Sequence, residues 1–176
     1  MKKLTEIEIS KTFTIGGIEF IKFSDKDGIT VAVTKDVLFN SDYGTNNNFA
    51  NSRIIKRLNE EVLPGIIQEI GEENILEFET DLTSLDGLKT YGTMKSKISI
   101  PTFDFYRENV KIFDMHKIND WWWLATPDTT PEHANDYWNR CVSPSGRIDY
   151  GDLYRNNRGV RPVLRFVSSI SVSSGE

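Results

Sequence analysis

The spacing of apolar residues changes character along the chain, and each change marks a different kind of element. Thr12 to Ile15 and Ile18 to Phe23 are short β-rich runs flanking Gly16-Gly17, a pair suited to the positive φ of a two-residue hairpin turn. Asp25-Lys26-Asp27-Gly28 supplies the next turn, and the β-branched run Ile29 to Thr34 a third strand. The Asn-rich stretch Asp42 to Asn51 has no period and leads as a loop to Ser52, a helix N-cap. After it Ile54, Ile55, Leu58 and Val62 recur at helical spacing, which predicts an amphipathic helix. Pro64-Gly65 should interrupt it, leaving Ile66, Ile67 and Ile70 to a second short helix closed by Gly71. Ile75 to Glu79 alternates apolar and acidic residues like an exposed edge strand, and Thr80 to Ser99 has few apolar anchors and is expected to be a long loop.

In the last third, Thr102 is positioned to cap a short helix from Phe103 to Asn109, with Phe103 and Tyr106 on one face. Three strands are then predicted: Trp121 to Ala125, Asp136 to Val142 and Gly159 to Val167. Ser143-Pro144-Ser145-Gly146 is a turn and Asp149 to Arg158 a polar loop. Since side chains alternate along a strand, Trp122 and Trp123 face opposite sides and both are assigned to the core, while Trp121 at the strand entrance is a candidate for lining a binding surface. The pattern is that of an α+β domain with antiparallel sheets and one or two amphipathic helices, spanning residues 1–168 and followed by a flexible Ser-rich tail, 169–176.

Composition narrows the picture. With 176 residues, 38% of them hydrophobic, the chain has enough apolar surface for one core. No apolar run approaches the ~20 residues of a spanning helix and no signal-peptide pattern is visible, so a soluble, cytoplasmic protein with no membrane partner is expected. Cys141 is the only cysteine, which rules out an intrachain disulfide, and its apolar strand makes it a core residue.

Charge is unevenly distributed. The net charge of −5 hides a window from Glu60 to Asp86 with nine acidic residues and no Lys or Arg. From Tyr137 to Phe166 six arginines stand against Asp149 and Asp152. In that cationic end, Arg147, Arg155 and Arg158 flank Tyr150, Tyr154 and Asn156, and Arg and Tyr are the residue types most often found at binding hot spots. The candidate partner-binding set is therefore Arg147, Tyr150, Tyr154, Arg155, Asn156, Arg158 and Trp121. An alternative surface is acidic, made of Glu69, Glu72, Glu73, Glu77 and Glu79, whose clustered charge resembles a phosphate track and would suit a basic, nucleic-acid-binding protein. Direct binding of nucleic acid is not expected of an acidic chain.

No catalytic pattern stands out. His133, with Glu132 and Asp136, lies on one short loop without a rigid frame, so neither it nor His116 is assigned a metal or catalytic role. The chain has no Gly-x-Ser-x-Gly elbow and no phosphate-cradling glycine loop, and no cofactor is expected.

One resemblance adds to these readings. Asn51-Ser52 before a helix ending in Leu58-Asn59, then Tyr91-Gly92, Trp122-Trp123-Leu124-Ala125-Thr126-Pro127, Gly146-Arg147-Ile148 and Gly159-Val160-Arg161-Pro162-Val163-Leu164 follow in an order that resembles an uncharacterised domain family of gut-type bacteria and their phages. That family is similar in fold to C-type lectins and to formylglycine-generating enzymes. The resemblance implies a C-type-lectin-like fold, and a bacterial or phage-associated setting. Arg140 in Trp138-Asn139-Arg140 stands where calcium-binding lectins carry an Asp ligand, and the paired cysteines or three histidines of the enzymes on this fold are missing, so binding without calcium or catalysis is implied. The expected function is a non-enzymatic recognition module for a protein or glycan. The alternatives are a mobile-element inhibitor of a host defence nuclease acting through its acidic segment, and an enzyme of unknown type on the same fold.

Overall fold

The computed structural model describes residues 1–175. In chain order the elements are β1 (Lys2–Lys3), β2 (Thr12–Ile15), β3 (Ile18–Lys26), β4 (Ile29–Thr34), β5 (Phe39–Asn40), α1 (Arg53–Arg57), α2 (Leu63–Ile70), β6 (Phe78–Asp81), β7 (Thr93–Ser96), α3 (Phe103–Glu108), α4 (Val110–Met115), β8 (Trp122–Pro127), β9 (Trp138–Val142), β10 (Ile148–Asp152), β11 (Gly159–Val160), β12 (Val163–Val167) and β13 (Ser171–Ser174). They build a six-stranded sheet in the order β1-β13-β2-β3-β4-β12, a five-stranded sheet β10-β9-β8-β11-β5 and the two-stranded β6-β7. The pairing of β8 with β11 is parallel and the others are antiparallel, which gives a mixed α+β architecture.

The N-terminal hairpins form as their turns dictate. Gly16 and Gly17 take φ 60° and 75°, and Asp27 and Gly28 take φ 54° and 76°, the two successive positive values of a tight hairpin turn. Ser52 caps α1 by accepting the Ile55 N–H at 3.1 Å. Pro64-Gly65 does not break the helix as expected. A π-helical turn, Leu58–Val62, widens the spiral so that Leu63 N–H donates to the Leu58 carbonyl, and Pro64 falls at the start of α2, where a missing N–H costs little. Gly71, at φ 86°, ends the run. Thr102 caps α3 through the Phe105 N–H at 3.1 Å, and α4 follows directly after Asn109.

Four further expectations are corrected. The Ser-rich tail does not fray between 171 and 174: β13 slots between β1 and β2 and buries Val172. The span 80–99 contains the end of β6 and all of β7, whose polar residues conceal a strand: Phe78 and Thr80 of β6 are buried, and no residue of β7 is. The loop expected from Asp149 to Arg158 is strand as far as Asp152. The strand expected from Gly159 to Val167 is split at Pro162, which has no N–H to give a ladder.

Two apolar clusters cover the two faces of the six-stranded sheet. On one, Phe13, Phe20 and Phe166 interlock, with ring centroids 5.5–6.1 Å apart, beneath Ile54, Leu58 and Ile66 of the helical run. On the other, Ile21, Phe23 and Val33 meet Tyr106 of α3 and Phe113 of α4. Strand β8 joins both, with Trp123 in the first cluster and Trp122 in the second, as alternation requires. Rings of this size each remove about 150–250 Å2 from water, so β8 pins the five-stranded sheet to the rest. No helix among the described residues is long and apolar enough to cross a membrane.

Candidate functional site

The cationic end of the chain folds into the hairpin β9-β10, closed at Ser143–Gly146, where Gly146 takes φ 86°. Strand β10 is the outermost of its sheet. The register pairs Tyr150 with Arg140 and Asp152 with Trp138, so these four side chains share one face of the hairpin. Trp138 and Tyr150 pack at 5.0 Å between centroids, and the Arg140 guanidinium lies 5.8 Å from the Tyr150 ring while pairing with Asp128. Tyr137 and Tyr154 are exposed at the open end of the hairpin, where Leu153 N–H donates to the Tyr137 carbonyl at 2.9 Å. Tyr154 is 73% exposed, and Tyr137, Trp138 and Tyr150 are also open to solvent.

The exposed arginines of the hairpin and the loop after it each face an aspartate, Arg147 on the side of the strand opposite Tyr150. Arg147 reaches Asp149 at 2.9 Å and Arg155 reaches Asp152 at 3.8 Å. The Tyr150 N–H, together with the Arg147 guanidinium, holds the Asp149 carboxyl below its ordinary range against a partial burial that works the other way. The surface is thus aromatic and polar, with its charges largely matched.

The seven residues of the sequence-derived set do not all meet at this surface. Tyr150 is exposed on it and Tyr154, Arg155 and Asn156 on the adjoining loop, while Arg147 is exposed beside Asp149 on the other side of β10. Arg158 is only 6% exposed; its guanidinium stacks over Trp121 at 4.2 Å and its Nη1 donates to Asn157 Oδ1, while its carbonyl accepts the Ser41 N–H. Arg158 and Trp121 therefore buttress the loop from behind. Trp138 and Arg140 belong to the surface and Tyr137 is exposed next to it, and none of the three was in the set. A signal for two of them was present: with Cys141 inward, alternation turns Asn139 inward and Trp138 and Arg140 outward.

Behind the aromatic face lies an unusual polar core. Asn139 is fully buried and neither atom of its amide has a protein partner, and the same holds for Nε of Arg158 and of Arg140. Opposite Asn139 stands Gly151, where a Cβ would lie 3.1 Å from the Trp123 ring and 3.6 Å from Arg158 Nε, so a larger residue there would press on that ring. Cys141 is buried as expected, and burial pushes its thiol above the ordinary range.

The acidic alternative set is spread over the end of α2, the turn after it and β6. Glu69 accepts the Gly16 N–H at 2.6 Å, Glu72 pairs with Lys97 at 3.0 Å and Glu79 with Lys95 at 4.0 Å, while Glu73 and Glu77 are exposed. Cations distant in sequence interleave with these carboxylates. His133 Nδ1 lies 2.7 Å from Asp86 Oδ2, and Glu132 accepts from Thr90 instead of joining it. Among the described residues no group of three or more His, Cys, Asp or Glu side chains is arranged to hold a metal. His116 Nε2 sits 2.7 Å from the Ser10 carbonyl.

Comparison with protein-family models, with curated proteins and with solved structures gives no match for this chain.

Proposed function

We propose that the chain is a non-catalytic recognition module that holds a protein or glycan on the outer face of the β9-β10 hairpin and the loop after it, without calcium. The observation that carries this reading is the concentration of Tyr137, Trp138, Tyr150 and Tyr154 as exposed rings on one hairpin. A soluble fold gains nothing in core stability from such rings, whereas at an interface each supplies a large, rigid contact area with a small loss of side-chain entropy. Matched Arg-Asp pairs around them offer oriented donors and acceptors without a strong net field. The C-type-lectin-like fold to which the tryptophan strand and Gly159-Val160-Arg161-Pro162 point belongs to the same proposal.

The test is binding, on a glycan array and in pull-downs from bacterial lysate, by the full chain and by the Trp138→Ala/Tyr150→Ala double variant. Both substituted side chains are exposed, so the melting midpoint should stay within a few degrees, while a specific ligand should be lost by about 2 kcal/mol or more. A ligand retained at full affinity by a folded double variant would exclude this surface.

A further inference from the structure

A second surface, on the far side of β6, is built for a different ligand. All four residues of β6 line a depression of about 240 Å3 whose apolar floor is Phe78, Ile100, Phe105 and Val163. Two more depressions, of about 380 and 240 Å3, share Asp81 with it, so the three run together as a trench. Its rim carries Glu79, Asp81, Asp104 and Glu108. Glu79 and Asp104 have cations nearby, Lys95 at 4.0 Å and Arg107 at 2.8 Å. Asp81 and Glu108 are in no ion pair among the described residues. The one cation in the apolar part, Arg165, lies over the Phe78 ring at 4.8 Å.

An independent feature of the backbone points the same way. β6 pairs with β7 alone, and Leu82 N–H donates to the Gly92 carbonyl. In an antiparallel ladder that bond fixes the phase: Phe78 and Thr80 turn their N–H and C=O groups to β7, and Glu79 and Asp81 turn theirs away, towards the trench. These outward groups have no backbone partner among the described residues. An unpaired edge beside an apolar slot is what an extended peptide uses when it adds a strand, with main-chain bonds giving affinity and alternate side chains entering the slot.

From this juxtaposition we infer that the trench docks an extended, basic segment of a partner protein, which pairs with the free edge of β6, sets an apolar side chain on Phe78 and Phe105 and lays Lys or Arg against Asp81 and Glu108. The surface is separate from the aromatic hairpin and does not depend on it.

The experiment is a 15N–1H titration of the full chain with the acetylated, amidated hexapeptide Lys-Val-Arg-Val-Lys-Val, and with Glu-Val-Glu-Val-Glu-Val as its charge-reversed control. The basic probe should shift amide signals in 78–81 and 100–108, and the acidic one should not. Asp81→Asn/Glu108→Gln, both at exposed positions, should weaken the basic probe about fivefold, and so should about 0.5 M NaCl. N-methylation of the probe's central residues should weaken it about threefold to tenfold by removing main-chain bonds. No binding at about 1 mM probe, equal binding of both probes, shifts confined to 137–154, or indifference to N-methylation would each overturn the proposal.

Discussion

Two buried arginines of this fold stack on tryptophan rings, and they are finished differently. At the junction of β4 and β12, Arg161 is stacked between Trp122 at 4.7 Å and Phe113 at 5.4 Å, with Nε donating to the Thr34 carbonyl and Nη2 to the Lys35 carbonyl. Burial draws its pKa down to about 10, which still leaves it charged at neutral pH. Behind the β9-β10 hairpin, Arg158 is stacked just as closely on Trp121, but its Nε and the whole amide of Asn139 lack protein partners. Buried polar groups are normally bonded because an unmade bond costs about 1–3 kcal/mol. The first arrangement therefore holds the sheets together, and the second sits at a cost directly beneath the exposed rings. Polar groups that the scaffold leaves unmatched collect where the molecule is proposed to meet its partner, not where its layers join.

The sharpest way to break this comparison is Arg161→Ala. The change removes two charge-assisted bonds and the filling between two rings, and it should cost about 3–5 kcal/mol, read as a fall in the urea midpoint at unchanged slope. A loss below about 1 kcal/mol would mean that the guanidinium does not join the sheets.

Asn139→Leu should move the other way. It exchanges an unpartnered amide for an apolar side chain of similar size, so stability should stay level or rise by about 1 kcal/mol in the same urea experiment. A clear loss would show that the amide is bonded in solution and would remove the contrast with Arg161.

The smallest effect concerns acid. Partial burial works to raise the Asp86 pKa but is outweighed by hydrogen bonds with Ser84, Thr129 and His133, and the carboxyl is held at about 2. A folded pKa below the unfolded one contributes stability that is complete above about pH 4 and is lost as the pH falls towards 2. The group is partly exposed, so screening limits the contribution to about 1 kcal/mol or less. Wild type and Asp86→Asn should therefore differ in stability at pH 6 and converge near pH 2; a constant gap between them would show that the carboxylate adds nothing through its charge.

The parts of the fold that were legible in the sequence were those fixed by neighbours. Glycine pairs set the hairpins, Ser52 and Thr102 set helix starts, and the tryptophan run set a strand with one ring on each side. Distant pairing was not legible. β7 has only a polar sequence and exists because β6 lies beside it, and β13 is ordered by β1 and β2 from the other end of the chain. Arg158 illustrates the limit for the site, since its neighbours in sequence are exposed loop residues while the ring that takes it in, Trp121, is 37 positions earlier.

The placement of β13 also sets how the domain answers a pull. β1 and β13 run antiparallel, with Lys2 opposite Val172 and Lys3 opposite Ser171, so both chain ends leave on the same side. A load applied through the two ends acts across that ladder and not along it, opening its bonds one after another, and from the C-terminal side it also meets the short contact of Ser173 and Ser174 with Thr14 and Phe13. Strands loaded in this way peel at low force, whereas strands pulled in shear share the load among all their bonds. Tension on its flanks would thus unfasten the six-stranded sheet like a zip, beginning at β1 and β13.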